Sequence, residues 1–324
     1  MIFVTGATGF VGRALCASLR DRVFLRIAVR DRETGNWADG VDTVQASLSA
    51  DQDWSGVLAG VSVVIHCAAR VHVTNDEAND PLAEFRRVNV KGTLRLARQA
   101  AEAGVRRFLF VSSIKVNGEH SLPGHPFTAD QPPAPGDPYG VSKCEAEAGL
   151  RALSQESGME VVIIRPPLVY GPGVKANFLA MMRWLWRGVP LPLGGITENR
   201  RSLVFLDNLI DLIVTCIDHP AAANQTFLVS DDEDLSTAAL LRRMAAALGR
   251  PARLIPVPVG LIALGAKVIG RPGIAQRLCG SLQVDIGKTK ELLGWSPPVN
   301  LDEGLRRTAE HWMKLGGKHQ GVSG

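Results

Sequence analysis

Several things are scarce in this chain. It has two tyrosines and 6% aromatic residues, and its five cysteines, Cys16, Cys67, Cys144, Cys216 and Cys279, stand singly and far apart. No Cys-x-x-Cys occurs and no histidine lies at a ligand spacing from a cysteine. Neither a metal site nor a redox pair is expected, and the thiols read as small apolar groups in a reducing compartment. Charge of one sign is lacking too. With 36 basic against 32 acidic residues the formal charge is +4, too small and too evenly spread to announce a nucleic-acid partner. An uninterrupted apolar run is missing. The longest stretch, 254–269, is broken by Pro256, Pro258, Gly260, Gly265 and Lys267. It reads as a packed loop and helix rather than a bilayer span, with a peripheral membrane contact as its second reading. No basic n-region or apolar leader precedes the opening Met1-Ile-Phe-Val-Thr-Gly6, so the expected location is cytoplasmic. Internal repeats are absent, and the only weak segment is the polar end 316–324, expected to fray.

Hydrophobic residues make up 46% of the 324 and charged residues 21%, the balance of a globular chain with ample core material. The first 165 residues alternate short β-branched runs with helical patterns. Strands are expected at 2–5, 24–29, 61–65, 108–111 and 161–164, and helices at 11–19, 82–103 and 139–157. Near-continuous apolar strands separated by helices mean an α/β fold whose parallel sheet is covered on both faces. After Arg165-Pro-Pro-Leu-Val-Tyr-Gly-Pro172 the elements shorten. Runs at 203–206 and 226–229 still read as strands around a helix at 208–217, and helices dominate from Asp231 on. Ser236 caps one of these, which Gly249 stops.

The first strand runs into Thr5-Gly6-Ala-Thr-Gly9-Phe-Val-Gly12, and a helix follows at once. Gly6 makes the tight turn, Gly9 admits a pyrophosphate to the backbone, and Gly12 allows helix and sheet to pack closely. The helix start supplies free N–H groups and partial positive charge for phosphates. The dinucleotide-contacting residues expected here are Gly6, Thr8, Gly9, Phe10, Val11 and Gly12. At the tip of the second strand stands Arg30, where an acid would hydrogen-bond a ribose 2′-hydroxyl. A fixed cation there favours NADP(H) over NAD(H), unless the tip lies one residue later, at Asp31.

Tyr139-Gly-Val-Ser-Lys143 puts a phenol and an ammonium four residues apart on one helix face. That pair suits hydride chemistry at a carbinol carbon, where a proton must move with the hydride. Tyrosine titrates near 10, and a nearby ammonium favours the phenolate. The third member is sought at the C-terminal end of the preceding strand, where ligands bind in such sheets. Ser112 and Ser113 supply hydroxyls there.

These motifs together resemble the extended short-chain dehydrogenase/reductases of the NAD-dependent epimerase/dehydratase family, and the resemblance covers nearly the whole chain. It implies a Rossmann-type doubly wound sheet with a smaller, mainly helical C-terminal lobe. The division would be 1–168 plus 202–229 for the NAD(P)-binding domain and 169–201 plus 230–324 for the substrate lobe. It implies catalytic roles for Ser113, Tyr139 and Lys143, leaves Ser112 structural, and has Lys143 also hold the nicotinamide ribose. Ala68, Ala69, Asn89 and Pro166 would lie along the cofactor. Asn177 and Arg201 would contact a UDP-sugar, Arg201 as a bidentate clamp on its diphosphate, unless it is a salt link between the lobes; Lys115, unusual at its position, reads either as a substrate contact or as an exposed loop residue. Dehydratases carry an Asp-Glu pair after the strand-end hydroxyl; here Ile114 and Lys115 stand instead, which excludes that branch.

The subgroup most resembled includes bacterial UDP-N-acetyl-quinovosamine dehydrogenases and UDP-glucose 4-epimerase-like proteins of O-antigen and lipopolysaccharide synthesis. The main expectation is therefore reduction of a UDP-4-keto-6-deoxy-hexosamine by NADPH. The alternative is a UDP-hexose or UDP-N-acetylhexosamine 4-epimerase with bound NAD. A non-catalytic NADP-sensing regulator or a steroid- or flavonoid-type reductase stands further off. A homodimer through the 82–103 and 139–157 helices is implied as well.

Overall fold

The computed structural model describes residues 1–31, 37, 40–71, 80–122, 124–268, 270 and 272–316, without the side chains of 272 and 274. The frayed end expected at 316–324 falls, beyond Gly316, outside these residues, as does the last residue of the apolar stretch 254–269. The strands are β1 (Ile2–Thr5), β2 (Leu25–Val29), β3 (Val41–Gln45), β4 (Val63–His66), β5 (Arg107–Val111), β6 (Glu160–Arg165), β7 (Leu168–Tyr170), β8 (Arg201–Phe205), β9 (Thr226–Leu228) and β10 (Asp234–Leu235). The helices are α1 (Phe10–Leu19), α2 (Pro81–Phe85), α3 (Thr93–Glu102), α4 (Pro138–Ser157), α5 (Ala176–Trp186), α6 (Leu206–Asp218), α7 (Thr237–Ala247), α8 (Val259–Val268), α9 (Pro272–Cys279), α10 (Gly287–Leu293) and α11 (Leu301–Lys314).

Seven strands form one all-parallel sheet in the order β3-β2-β1-β4-β5-β6-β9, the doubly wound arrangement expected. Pleating sends alternate residues to opposite faces. Val4, Ile65, Leu109 and Val162 join one buried cluster with residues of α1 and α6. Phe3, Val64, Phe108 and Phe110 join another with residues of α3 and α4. Both faces are thus covered, and in such sheets ligands bind at the carboxyl end of the strands.

Three of the differences from the sequence reading bear on how the site is framed. β3 was not anticipated. It is an edge strand, with Asp42 paired to Arg26 and no strongly apolar run to announce it. The expected helix at 82–103 is interrupted by a π-helical segment, Arg86–Gly92, between α2 and α3. Its widened turn brings Asn89 inward, and Gly92 packs on Leu48, where a Cβ would lie 2.9 Å from Leu48 Cγ. The run near 203–206 forms β8, which pairs with β7 and β10 in a separate three-stranded sheet rather than with the main one. That sheet packs with α5, α7 and α11 around a third core containing Tyr170, Phe178, Phe205 and Trp312.

Candidate active site

The glycine loop has the geometry a phosphate cradle needs. Gly6 has φ +73, and a Cβ on it would stand 2.6 Å from Ala68 N. A Cβ on Gly12 would stand 2.1 Å from Gly6 O, so both positions exclude any side chain. Gly9 N donates to Gly6 O at 2.9 Å and closes the turn. The first turn of α1 carries no capping side chain and no acid, so its N–H groups face the loop's open side without a protein anion. These features fit a dinucleotide. Ala68, half-buried after β4, lies against this loop with the half-buried Ala69 next in sequence, and Arg30 stands exposed one residue past β2 with Asp31 beside it.

Helix α4, which carries Tyr139 and Lys143, starts where the sequence directs it. Asp137 caps it by accepting from Gly140 N at 2.7 Å, and Pro138 occupies the first turn. Lys143 is buried, donates to Val111 O at 2.9 Å and sits 4.3 Å over the Phe110 ring. Burial pulls its pKa down to about 8, against the pull of Cys67 and Glu147. Tyr139 meets Phe85 edge-on at 6.0 Å. Burial, helped by Asp137, pushes its phenol above the ordinary tyrosine value. The depression expected from Lys143 is therefore not present: desolvation and a carboxylate raise the phenol's pKa, and no lowering by Lys143 offsets them. The other tyrosine, Tyr170, is enclosed in the smaller lobe's core and donates to Asp231 at 2.8 Å, which leaves Tyr139 as the accessible phenol.

The two strand-end hydroxyls have separate tasks. Ser112 is buried and donates to Glu147 Oε1 at 2.6 Å. Ser113 is half-buried and caps the short 3-10 turn Ile114–Val116, accepting from Lys115 N at 3.3 Å. Ile114 N binds Pro166 O at 3.0 Å, so the Ser113 turn and Pro166 are held together. Asn89 joins three pieces: its Oδ1 accepts from Arg70 N at 2.8 Å, while its amide donates to Arg70 O and to Ser142 Oγ, each at 3.0 Å. It fastens the loop carrying Ala68 and Ala69 to the helix carrying Lys143.

The expected substrate residues are more scattered. Lys115 pairs with Asp137 and, at 3.3 Å, with Glu119, placing a cation at the start of α4. Asn177 is exposed in the first turn of α5, next to Ala176 with its φ of +53. Arg201 opens β8. Its Nη1 donates to Arg277 O and Gly280 O, both at 3.0 Å, at the end of α9. Burial lowers its pKa, and among the described residues its partners are carbonyl groups of the same lobe rather than a carboxylate.

Two arrangements escaped the sequence reading. His66 is fully enclosed and bridges Thr5 Oγ1 (2.6 Å) to Thr93 Oγ1 (2.9 Å). Burial, then Lys143, lowers its pKa to about 3, so it is a neutral strut between β1, β4 and α3. Glu147 and Arg165 form a buried ion pair at 2.5 Å, joined by Ser112 and by Asn117, whose Oδ1 accepts from Arg165 at 2.9 Å. Glu147 lies four residues past Lys143, so its helix face was legible; its partner was hidden within an apolar strand. Cys67, beside Lys143, has its thiol pushed up to about 12 by burial and is a poor nucleophile.

Fold and site together define a nicotinamide-dinucleotide fold carrying an intact Tyr-x-x-x-Lys pair. Residues 2–230 match the NAD dependent epimerase/dehydratase family, and the chain belongs to it. It is 51% identical over 313 residues, 97% of this chain and 95% of the other, to a protein of Vibrio cholerae named UDP-glucose 4-epimerase. Among solved structures, a short-chain dehydrogenase/reductase superfamily protein from Agrobacterium tumefaciens with bound NAD has a TM-score of 0.78 and 27% identity, covering 99% of both chains. The UDP-glucose 4-epimerase of Thermotoga maritima with UDP-glucose has a TM-score of 0.76 at 22% identity, covering 97% of this chain and 99% of its own, a likeness of fold.

Proposed function

We propose that this protein is an NAD-dependent 4-epimerase of a UDP-hexose. The observation that carries the reading is the 51% identity, over 97% of the chain, to a protein named UDP-glucose 4-epimerase. It favours the epimerase over the UDP-4-keto-6-deoxy-hexosamine reductase that the sequence suggested first. The intact Tyr139/Lys143 pair argues against a non-catalytic regulator. NAD is favoured over NADP by the 27%-identical relative that binds NAD. On this reading Asp31, rather than Arg30, meets the adenosine ribose.

The uncapped start of α1 and the bare backbone of Gly6, Gly9 and Gly12 would hold the pyrophosphate, with Ala68, Ala69 and Pro166 along the cofactor. When bound, NAD supplies a hydride acceptor and donor for the sugar's C4. The chain's own residues handle the proton and the position. Tyr139 takes the proton from the 4-hydroxyl oxygen as the keto form develops and returns it as the alcohol re-forms. Ser113 hydrogen-bonds the same oxygen. Lys143 holds the ribose and presents positive charge to the phenol. Arg201, a half-buried cation that donates to the carbonyls of Arg277 and Gly280, binds the diphosphate together with Asn177.

The test is to mix the purified protein with UDP-glucose, without added nucleotide and with added NAD, and to measure UDP-galactose. Interconversion with no net change in reduced nicotinamide supports the reading. Stoichiometric NADPH consumption on a UDP-4-keto sugar, with no interconversion of UDP-glucose or its N-acetyl form, would return the case to the reductase.

A further inference from the structure

The smaller lobe carries a helical hairpin, α8 and α9, whose helices pack chiefly on each other, with Ala266 and Ala275 buried. Both roots are fixed. On entry, Leu191 N binds Arg253 O at 2.8 Å and Ile255 N binds Leu191 O at 2.8 Å. Gly195 packs so closely below that a Cβ would lie 2.2 Å from Val257 O. On exit, Thr237 Oγ1 donates to Leu278 O at 2.6 Å, and Arg201 holds Gly280 O.

Helix α8 turns an apolar stripe outward. Leu261, Leu264 and Val268 are 59%, 58% and 78% exposed, and their spacing puts all three on one stripe of α8. Ile255 and Val259, at the root, are also exposed. Of the exposed large apolar residues described, five fall within Ile255–Val268. Single exposed leucines need no explanation, but a stripe on a fixed projection does.

Charge selects what covers it. From Leu235 to Val284 there is no Asp or Glu, while seven lysines and arginines occur, Arg250, Arg253 and Lys267 among them. Without those seven the rest of the chain holds 29 basic against 32 acidic residues, so the whole positive excess resides in this segment. A second copy docked on the same face would set like charge against like. A ten-residue α8 is roughly 15 Å long, about half a bilayer's hydrocarbon thickness, and no described helix is long and apolar enough to cross a membrane. Such a helix lies along an interface.

We propose that the α8–α9 hairpin docks this protein on an anionic phospholipid surface, with the Leu261–Leu264–Val268 stripe at the acyl boundary and Arg253 and Lys267 at the phosphates. The test is flotation with vesicles of phosphatidylcholine alone or containing roughly a third phosphatidylglycerol, near 0.15 M salt. The protein should float with the anionic vesicles, and binding should fade as salt rises. Leu261→Gln with Leu264→Gln should weaken it at least about tenfold, since each leucine loses most of its transfer free energy. Arg253→Gln with Lys267→Gln should weaken it roughly 30-fold. All four positions are exposed, so unchanged melting temperatures certify folding. Failure of the wild type to float overturns the proposal, as does a leucine pair variant that floats like wild type. A dimer that dissociates in the leucine variant, with no flotation, assigns the face to a second copy and overturns it too. The readout is binding, so the outcome is independent of which reaction the site performs.

Discussion

Arg165→Met should be among the most damaging single changes away from the reacting groups. Arg165 and Glu147 are each 2% exposed, and the guanidinium reaches the carboxylate twice, at 2.9 and 2.5 Å. Removing it strands a buried carboxylate with one hydroxyl, Ser112, and the outlying Arg151 at 3.4 Å. Breaking one side of such a pair costs about 3–5 kcal/mol. An unfolding entropy of about 2.1 cal/mol/K per residue, over 324 residues, gives roughly 0.7 kcal/mol/K, so Tm should fall by about 4–7 °C. The double variant Glu147→Leu/Arg165→Met removes both charges and should recover more than half of that loss. Scanning calorimetry of the two single variants and the double closes the cycle. A single-variant loss below about 1 kcal/mol, or a double-variant loss equal to the sum of the singles, would refute the claim that the pair is a coupled unit.

Tyr139→Phe should lower kcat by orders of magnitude while NAD affinity, read by calorimetric titration, stays within a few-fold; near-normal turnover would remove Tyr139 from proton transfer. Gly12→Ala sets a Cβ 2.1 Å from Gly6 O, so NAD affinity should drop by at least about tenfold, and wild-type affinity would show that the loop does not hold the cofactor. Arg201→Lys keeps the charge but loses the planar fork, and should raise KM for the UDP-sugar with kcat little changed; an unchanged KM argues for a purely structural grip on α9. Lys143 titrates near 8 in the fold against about 10.5 unfolded. Between those values the unfolded chain binds the extra proton, so stability rises with pH. Ligand-free wild type should gain about 3 kcal/mol on Lys143→Met from pH 8 to 10.5, and a flat difference in denaturant melts would contradict the burial argument.

The sheet and the glycine loop were legible because they rest on local signals: β-branched runs, three glycines at fixed spacing, and a helix that must follow them. Tyr139 and Lys143 were legible because tyrosine is so rare and their spacing fixes one helix face. What stayed hidden depends on partners distant in sequence. His66 reads as one more strand residue until Thr5 and Thr93 close on it from either side, 61 and 27 positions away. The π-helical turn at Asn89 cannot be read from apolar periodicity, since it follows from an amide reaching Arg70 and Ser142 at once. β8 looked like a main-sheet strand because its apolar run is the same; pairing with β7 and β10 decides its sheet. The stretch 254–269 shows why composition alone falls short. Its prolines and glycines mark a loop and helix, yet only the folded hairpin shows that its leucines point outward.

The protonation of the Tyr139/Lys143 pair ties these strands together. A phenol pushed above its ordinary value and an ammonium brought down to about 8 have each moved toward neutrality, and both by burial. Asp137 adds to the phenol's shift, and it is the residue that caps α4 and accepts Lys115. The motif places a proton-transfer group, but the protein alone does not make it a base at neutral pH. On the proposed reading bound oxidised NAD would supply the missing positive charge. The phenol is then least ionised while the site is empty and most readily ionised when an acceptor for hydride is in place, which matches loss of the proton to loss of the hydride. That coupling requires Lys143 to stay cationic and fixed, which its bond to Val111 O and its seat over Phe110 provide. It equally requires α4 to hold its position against β5 and β6, which the Ser112–Glu147–Arg165 network provides from beneath.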